Sequence, residues 1–318
     1  MYNESWKHAF SVETYDKLSM REACATLFEA TEPYEREWGA DLCTQSAEVL
    51  KPVVEELVGM RAKSTKLRLS ILREYVSYCL RNNYPGACDG MLQVKVTGLE
   101  KLQRNTVKNP LHLQRYLDQI CDPEQDETYD NVLRFYHWMA YSGVPEEEIL
   151  KLTANDVDLE RMVIRAGGTD YPLYRESLPS VSNCMRLTQF VSRHPYHGVD
   201  KLVRLDRAPG DALVRGTRSV PSVTSIRSML SRRVKQKTDA GETQQQLSYY
   251  RVWLSGVFYR AYEQELAGFP PDFSGVAFRQ MQGREYRLGG RNTPRGKQRK
   301  LSGEYMTDYL RWKSTLTT

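Results

Sequence analysis

Residues 64–82, STKLRLSILREYVSYCLRN, constrain the fold most, because their apolar side chains recur at helical spacing. Leu69, Leu72, Val76 and Leu80 form one stripe, while Lys66, Arg68, Arg73 and Arg81 stay polar. A strand would alternate every second residue, so this segment is an amphipathic helix, stopped by Asn82-Asn83-Tyr84-Pro85-Gly86. Residues 46–60 repeat the pattern with Val49, Val53, Val54, Leu57 and Val58 on one side and Ser46 as the cap; Pro52 either kinks this helix or marks its start. An earlier helix over residues 20–31 completes an expected N-terminal helical bundle.

Residues 94–110, VKVTGLEKLQRNTVKNP, are polar and basic and read as a linker. They set the expected domains at 1–108 and 109–318. Beyond them, helices are expected at 111–120, 128–141 (apolar at Val132, Leu133, Phe135, Tyr136 and Met139), 144–152 and 247–265. Residues 156–166 read as a turn into a strand, broken by Gly167-Gly168. Residues 170–181 read as a returning edge strand, because Pro172 and Pro179 cannot donate to a ladder. The expected class is mainly α with a small β-sheet.

At 40% hydrophobic and 27% charged residues, the 318-residue chain has enough apolar material for a core. No apolar run reaches the roughly 18 residues of a membrane span. The first 17 residues lack the apolar centre of a signal peptide, so a cytoplasmic protein is expected. The six cysteines contain no CxxC pair, and read as reduced core thiols. His194 and His197 lie in a loop-like RHPYHGVD and are not read as metal ligands. Neither a metal nor a cofactor is expected.

The net charge of +5 is modest, but its distribution is not even. Residues 231–237 read SRRVKQK, and residues 284–300 read REYRLGGRNTPRGKQRK, whereas residues 32–41 and 121–130 are acidic. Lysine and arginine clusters displace condensed counterions from a phosphate backbone. The candidate DNA contacts are therefore Lys63, Lys66, Arg68 and Arg73 on the first basic helix; Arg232, Arg233, Lys235 and Lys237; and Arg284, Arg287, Arg291, Arg295, Lys297, Arg299 and Lys300. The plainer reading of each run is solvated surface charge.

Residues 135–165, FYHWMAYSGVPEEEILKLTANDVDLERMVIR, combine a helix stop, a helix restart and a strand entry, with Gly143, Glu148, Leu152, Asp156 and Asp158 at fixed spacing. Later come Ser248-Tyr249-Tyr250-Arg251, then Leu288-Gly289-Gly290, then Tyr305 and Tyr309. This order resembles the tyrosine recombinase, or phage integrase, family. The resemblance implies an N-terminal helical core-binding domain joined to a catalytic domain, the two closing on double-stranded DNA as a clamp, with other recombinase subunits as partners. It also implies a chemistry: a tyrosine hydroxyl attacks a phosphodiester and forms a 3′-phosphotyrosyl bond, while fixed cations stabilise the charge that develops on the phosphorane. No cofactor is implied, because the bond energy is kept in the protein–DNA link.

Residue by residue, the match is incomplete. Arg251 stands for the second arginine of the family's His-x-x-Arg, but Ser248 replaces the histidine. Pro145 occupies the place of the first arginine. No lysine lies in the expected turn, AGGTDY at 166–171, where only Arg165 and Arg175 flank it. Gly290 replaces the histidine of Leu-Gly-His, and no histidine follows His197. Tyr305 and Tyr309 are both candidate nucleophiles; Tyr309 is preferred because Leu310 and Trp312 continue a helix after it. With 20 tyrosines in the chain, either one, taken without the surrounding pattern, reads first as a packed aromatic. Three readings follow: a DNA-binding relative with a decayed cleavage centre, acting in integration or recombination of a bacterial or phage mobile element; an active divergent recombinase; and a helical interaction module with no role on DNA.

Overall fold

A computed structural model describes residues 1–121, 128–196, 199–243, 245–271, 273 and 295–316. The chain divides into two units, Met1–Gln103 and Arg104–Thr318. The division falls after Gln103, ahead of the 108/109 boundary expected from composition. Backbone groups of Val107 explain this. Its amide donates to Ser255 Oγ (3.0 Å), and its carbonyl accepts from Trp312 Nε1 (3.2 Å), so residue 107 is tied into the second unit.

The first unit is helical: α1 (Glu4–Thr14), α2 (Leu18–Trp38), α3 (Ala47–Leu57), α4 (Ala62–Arg81) and the short α5 (Gly90–Gln93) and α6 (Leu99–Arg104). Its core gathers Phe10, Phe28, Leu50, Val54, Leu72, Tyr75 and Val76. Phe10 meets Phe28, Tyr75 and Tyr78 edge-on at 5.3–6.0 Å. The expected stripe on α4 is largely present, with Leu69, Leu72 and Val76 buried. On α3, Val49 is 40% exposed and Leu50 is buried in its stead, one position round the helix. Pro52 lies inside α3. Composition gave no sign of α1, and the expected linker holds α6.

Two buried polar systems tie this unit together. Lys7 and Glu35 form an ion pair with both side chains fully buried, and Glu35 also accepts from Thr31 Oγ1 (2.7 Å) and Leu42 N (3.0 Å). Burial pushes the Glu35 carboxyl up despite Lys7, so desolvation outweighs the attraction. Asp41 accepts from Asn3 Nδ2 (3.0 Å), Tyr75 OH (2.9 Å) and Cys43 N (2.9 Å).

The second unit contains α7 (Pro110–Ile120), α8 (Thr128–Ser142), α9 (Glu146–Ile149), α10 (Leu178–Arg186), α11 (Val223–Asp239), α12 (Tyr249–Leu266) and α13 (Arg295–Ser314). Strands β1 (Val157–Asp158), β2 (Val163–Ala166) and β3 (Thr169–Pro172) form an antiparallel sheet in the order β1-β2-β3. The expected second strand therefore stops at Pro172, and most of 175–186 is helical instead; Pro179 sits in the first turn of α10, where a missing N–H costs nothing. Strand β4 (Gln189–Tyr196) pairs antiparallel with β5 (Val199–Asp206), although RHPYHGVD at 193–200 was expected to be loop-like.

Helices α8 and α12 are the heart of this unit. Every described residue of α8 from Val132 to Ser142 is buried. A Cβ added to Gly256 of α12 would lie 1.9 Å from the carbonyl oxygen of Tyr141 on α8, so the two backbones meet there. Glycine is required by that approach. None of the six cysteines is in a disulfide, and all but Cys88 are buried.

Candidate functional site

Helix α11 is amphipathic. Ser222 caps it, its Oγ accepting from Ser225 N at 3.1 Å. Ile226, Leu230 and Val234 are buried at four-residue intervals, which leaves Ser228, Ser231, Arg232 and Lys235 outward. Ser248 is the N-cap of α12, and its side chain makes no capping bond. Between α11 and the first turn of α12 lies a cleft of about 830 Å³. Arg227, Lys235, Thr238, Gln246, Ser248, Tyr250 and Arg251 are among its lining residues.

The cleft is thus lined by two of the expected catalytic residues, Arg251 and Ser248, and by one expected DNA contact, Lys235. Arg251 Nη1 donates to the carbonyl of Gln246, and burial pushes the guanidinium below its ordinary value, with Tyr116 opposing. Tyr116 also accepts from Leu247 N at 3.3 Å, holding the entry to α12.

Pro145 is buried at the N-cap of α9, and the next residue, Glu146, is only 5% exposed. Its carboxylate accepts from Tyr136 OH and from Arg227, whose Nε is 2.8 Å from Oε1 and whose Nη2 meets Oε2. Where the resemblance implies an arginine, the chain places a proline followed by a buried carboxylate that faces a cleft-lining arginine. Carboxylate hydrogen bonding pushes Arg227 further above its ordinary value. Tyr136 in turn rises through burial first and the Glu146 contacts second. Arg227, Glu146 and Tyr136 escaped the sequence reading, since 81 residues separate the ion pair and no local spacing marks it.

Both candidate tyrosines lie elsewhere. Tyr309 is 1% exposed, and its hydroxyl donates to Glu265 Oε2 at 2.5 Å. Its ring packs on Phe258, Phe273 and Trp312. Tyr305 is 3% exposed and stacks on Phe273 with centroids 6.3 Å apart. Arg251 opens α12 and Glu265 ends it; at 1.5 Å per residue, about 21 Å of helix separates them. Tyr309 and Arg251 are therefore not brought together. Of the turn arginines, Arg165 is held by Asp170 (2.9 Å) on its own hairpin, and Arg175 is exposed.

The candidate DNA contacts divide. On α4, Lys63 and Lys66 are exposed, whereas Arg68 and Arg73 donate to the carbonyls of Leu57 and Val94 and brace loops. On α11, Arg232 is exposed, while Arg233 is bound to buried Asp130 (2.6 Å). Lys235 and Lys237 pair with Asp239 (2.7 Å) and Glu242 (2.6 Å). Arg295, Lys297, Arg299 and Lys300 belong to α13, and Arg284, Arg287 and Arg291 lie outside the described residues, as does the Leu288-Gly289-Gly290 motif.

Residues 1–81 match the family model described as MrpR, N-terminal core-binding domain. The N-terminal unit is similar to the core-binding domain of MrpR. This MrpR-like domain comprises α1 to α4, and it carries the basic helix that first fixed the fold class. Solved structures that match the chain do so at low identity. An integrase of the Tn1549 transposon in complex with circular intermediate DNA is 11% identical; the match covers 88% of this chain and 92% of that one, with a TM-score of 0.38. XerA recombinase is 12% identical over 95% and 98% of the two chains, at 0.36. A lambda integrase dimer bound to a COC′ core site is 9% identical over 96% and 95%, at 0.35. No curated protein sequence matches the chain. Among the described residues, no helix is long and apolar enough to cross a membrane.

Proposed function

We propose that this protein is a DNA-binding member of the tyrosine recombinase family that holds duplex DNA without cutting it. The observation that carries the reading is the separation of Tyr309 from Arg251 along the full length of α12. Strand cleavage needs a tyrosine and guanidinium groups on one phosphate, because the extra charge of the phosphorane must be met by fixed donors. Here Tyr309 is engaged with a carboxylate, Tyr305 is packed in the same aromatic cluster, and Pro145 supplies no donor. Each missing donor of that kind typically costs about 10²–10³ in rate. Binding is less sensitive, since affinity is spread over many phosphate contacts.

Several features support binding. The MrpR-like domain presents Lys63 and Lys66, the cleft-bearing unit presents Arg232, and α13 begins with a basic run. In this reading the chain works as an accessory subunit or regulator on a bacterial or phage-derived mobile element, in the cytoplasm. Fluorescence anisotropy on a labelled duplex tests the binding half. The expected result is affinity that falls steeply with salt. In Lys66→Gln or Arg232→Gln, each of which leaves one phosphate without its cation, the slope should be shallower by about 0.9. Salt-independent binding, or none, would favour the interaction module instead.

A further inference from the structure

The Glu146–Arg227 pair has a place in this reading that packing alone does not explain. The Arg227 side chain is 62% exposed, yet its guanidinium reaches from α11 to α9 and grips a carboxylate that is 5% exposed. The pairing is bidentate, with Tyr136 OH held on the same Oε1. The other acids of the run behave differently: Glu147 is exposed, and half-buried Glu148 pairs with the exposed Lys151 two residues beyond α9. Arginine's planar fork binds carboxylate and phosphate in the same geometry. A guanidinium already engaged by Glu146 adds no net charge to the cleft and displaces no counterion from DNA.

We infer that Glu146 is an internal stand-in for a phosphate, which withholds Arg227 from DNA and keeps the cleft's affinity for the duplex low. The inference rests on the DNA-binding function proposed for the chain. It makes Glu146 a residue that tunes affinity, and Arg227 a latent phosphate ligand. Tyr136 fixes the carboxylate from its buried side, so the latch is set by the core of the domain and not by solvent.

The test uses the full chain and a fluorescein-labelled 30-base-pair duplex, titrated at several salt concentrations. Glu146→Gln keeps the shape and the acceptor for Tyr136 but removes the charge. It is expected to tighten binding about eightfold near 0.1 M salt and to steepen the log–log salt slope by about 0.9, the signature of one more phosphate neutralised. Glu146→Gln/Arg227→Gln is expected to erase that effect. A folded Glu146→Gln protein that binds no more tightly than wild type overturns the inference. So does a double variant as tight as Glu146→Gln. Should Glu146→Gln alone not fold, the double variant decides: a slope shallower than wild type by about 0.9 means Arg227 already sits on a phosphate, and the latch is refuted. A slope equal to wild type's supports it. If wild type itself shows no salt-dependent binding, the DNA-binding function fails first and the inference falls with it.

Discussion

The hydroxyl of Tyr309 donates to Glu265 at the C-terminal end of α12, while Arg251 lies in the first turn of the same helix. That relationship turns a candidate nucleophile into a structural side chain. Burial first, and the Glu265 hydrogen bond second, push the Tyr309 phenol up, away from the phenolate that an attack would use. Lys313 then clamps the other oxygen of Glu265 at 2.6 Å.

Tyr309→Phe is accordingly expected to lower the thermal midpoint by about 2–4 °C, the effect of removing one hydrogen bond in a unit of this size, and to leave DNA affinity as it was. Differential scanning calorimetry beside anisotropy checks both. A DNA-binding defect with no change in the midpoint would place the hydroxyl on the ligand instead.

Lys7 and Glu35 are expected to act as a pair. Lys7→Ala leaves a buried carboxylate without its partner and should cost about 3–5 kcal/mol, whereas Lys7→Met/Glu35→Leu removes both charges and should retain most of the wild-type stability. Urea denaturation followed by circular dichroism distinguishes them. Equal losses in the two variants would mean that the site requires the charges themselves.

The close approach of α8 and α12 predicts a large effect from one methyl group. Gly256→Ala sets a Cβ against the Tyr141 carbonyl, so one helix must move; the expected loss is about 3 kcal/mol or more. A denaturation midpoint close to wild type would show that the helices separate freely.

Acid should destabilise the second unit before its carboxylates titrate. His137 is fully buried on α8, its Nδ1 donating to Leu133 O at 2.6 Å, and burial pushes its pKa down. His112 is pushed the same way, by burial first and then by Lys108 and Arg115. A histidine depressed in the fold takes its proton in the unfolded chain first. Its contribution is therefore intact above the unfolded value of about 6.5 and is lost as pH falls below it. The thermal midpoint should drop between about pH 7.5 and 5.5, on either side of that value, and drop less in His137→Gln. A flat profile would contradict this.

Much of the helical frame was legible because periodicity is a local signal. Leu69, Leu72 and Val76 announce α4, and Val132 to Met139 announce α8. The strands Gln189–Tyr196 and Val199–Asp206 were not, since Pro195, His197 and Gly198 have loop composition. Residues 175–181 looked like the end of an edge strand because proline at the first turn of a helix and proline at a sheet edge have the same local appearance. At the site, the resemblance singled out Ser248 and Arg251, and both line the cleft. It did not reveal that Tyr309 packs against Glu265, or that Arg227 meets Glu146. Both facts depend on which helix faces come together, and residue type carries no record of that.

A nicked duplex that traps a phosphotyrosyl intermediate tests the central claim most directly. Incubated with excess wild-type protein and run under denaturing conditions, it should show binding before denaturation and no covalent protein–DNA adduct after it. A denaturant-resistant adduct that vanishes in Tyr309→Phe or Tyr305→Phe would contradict the account and establish a cleaving enzyme.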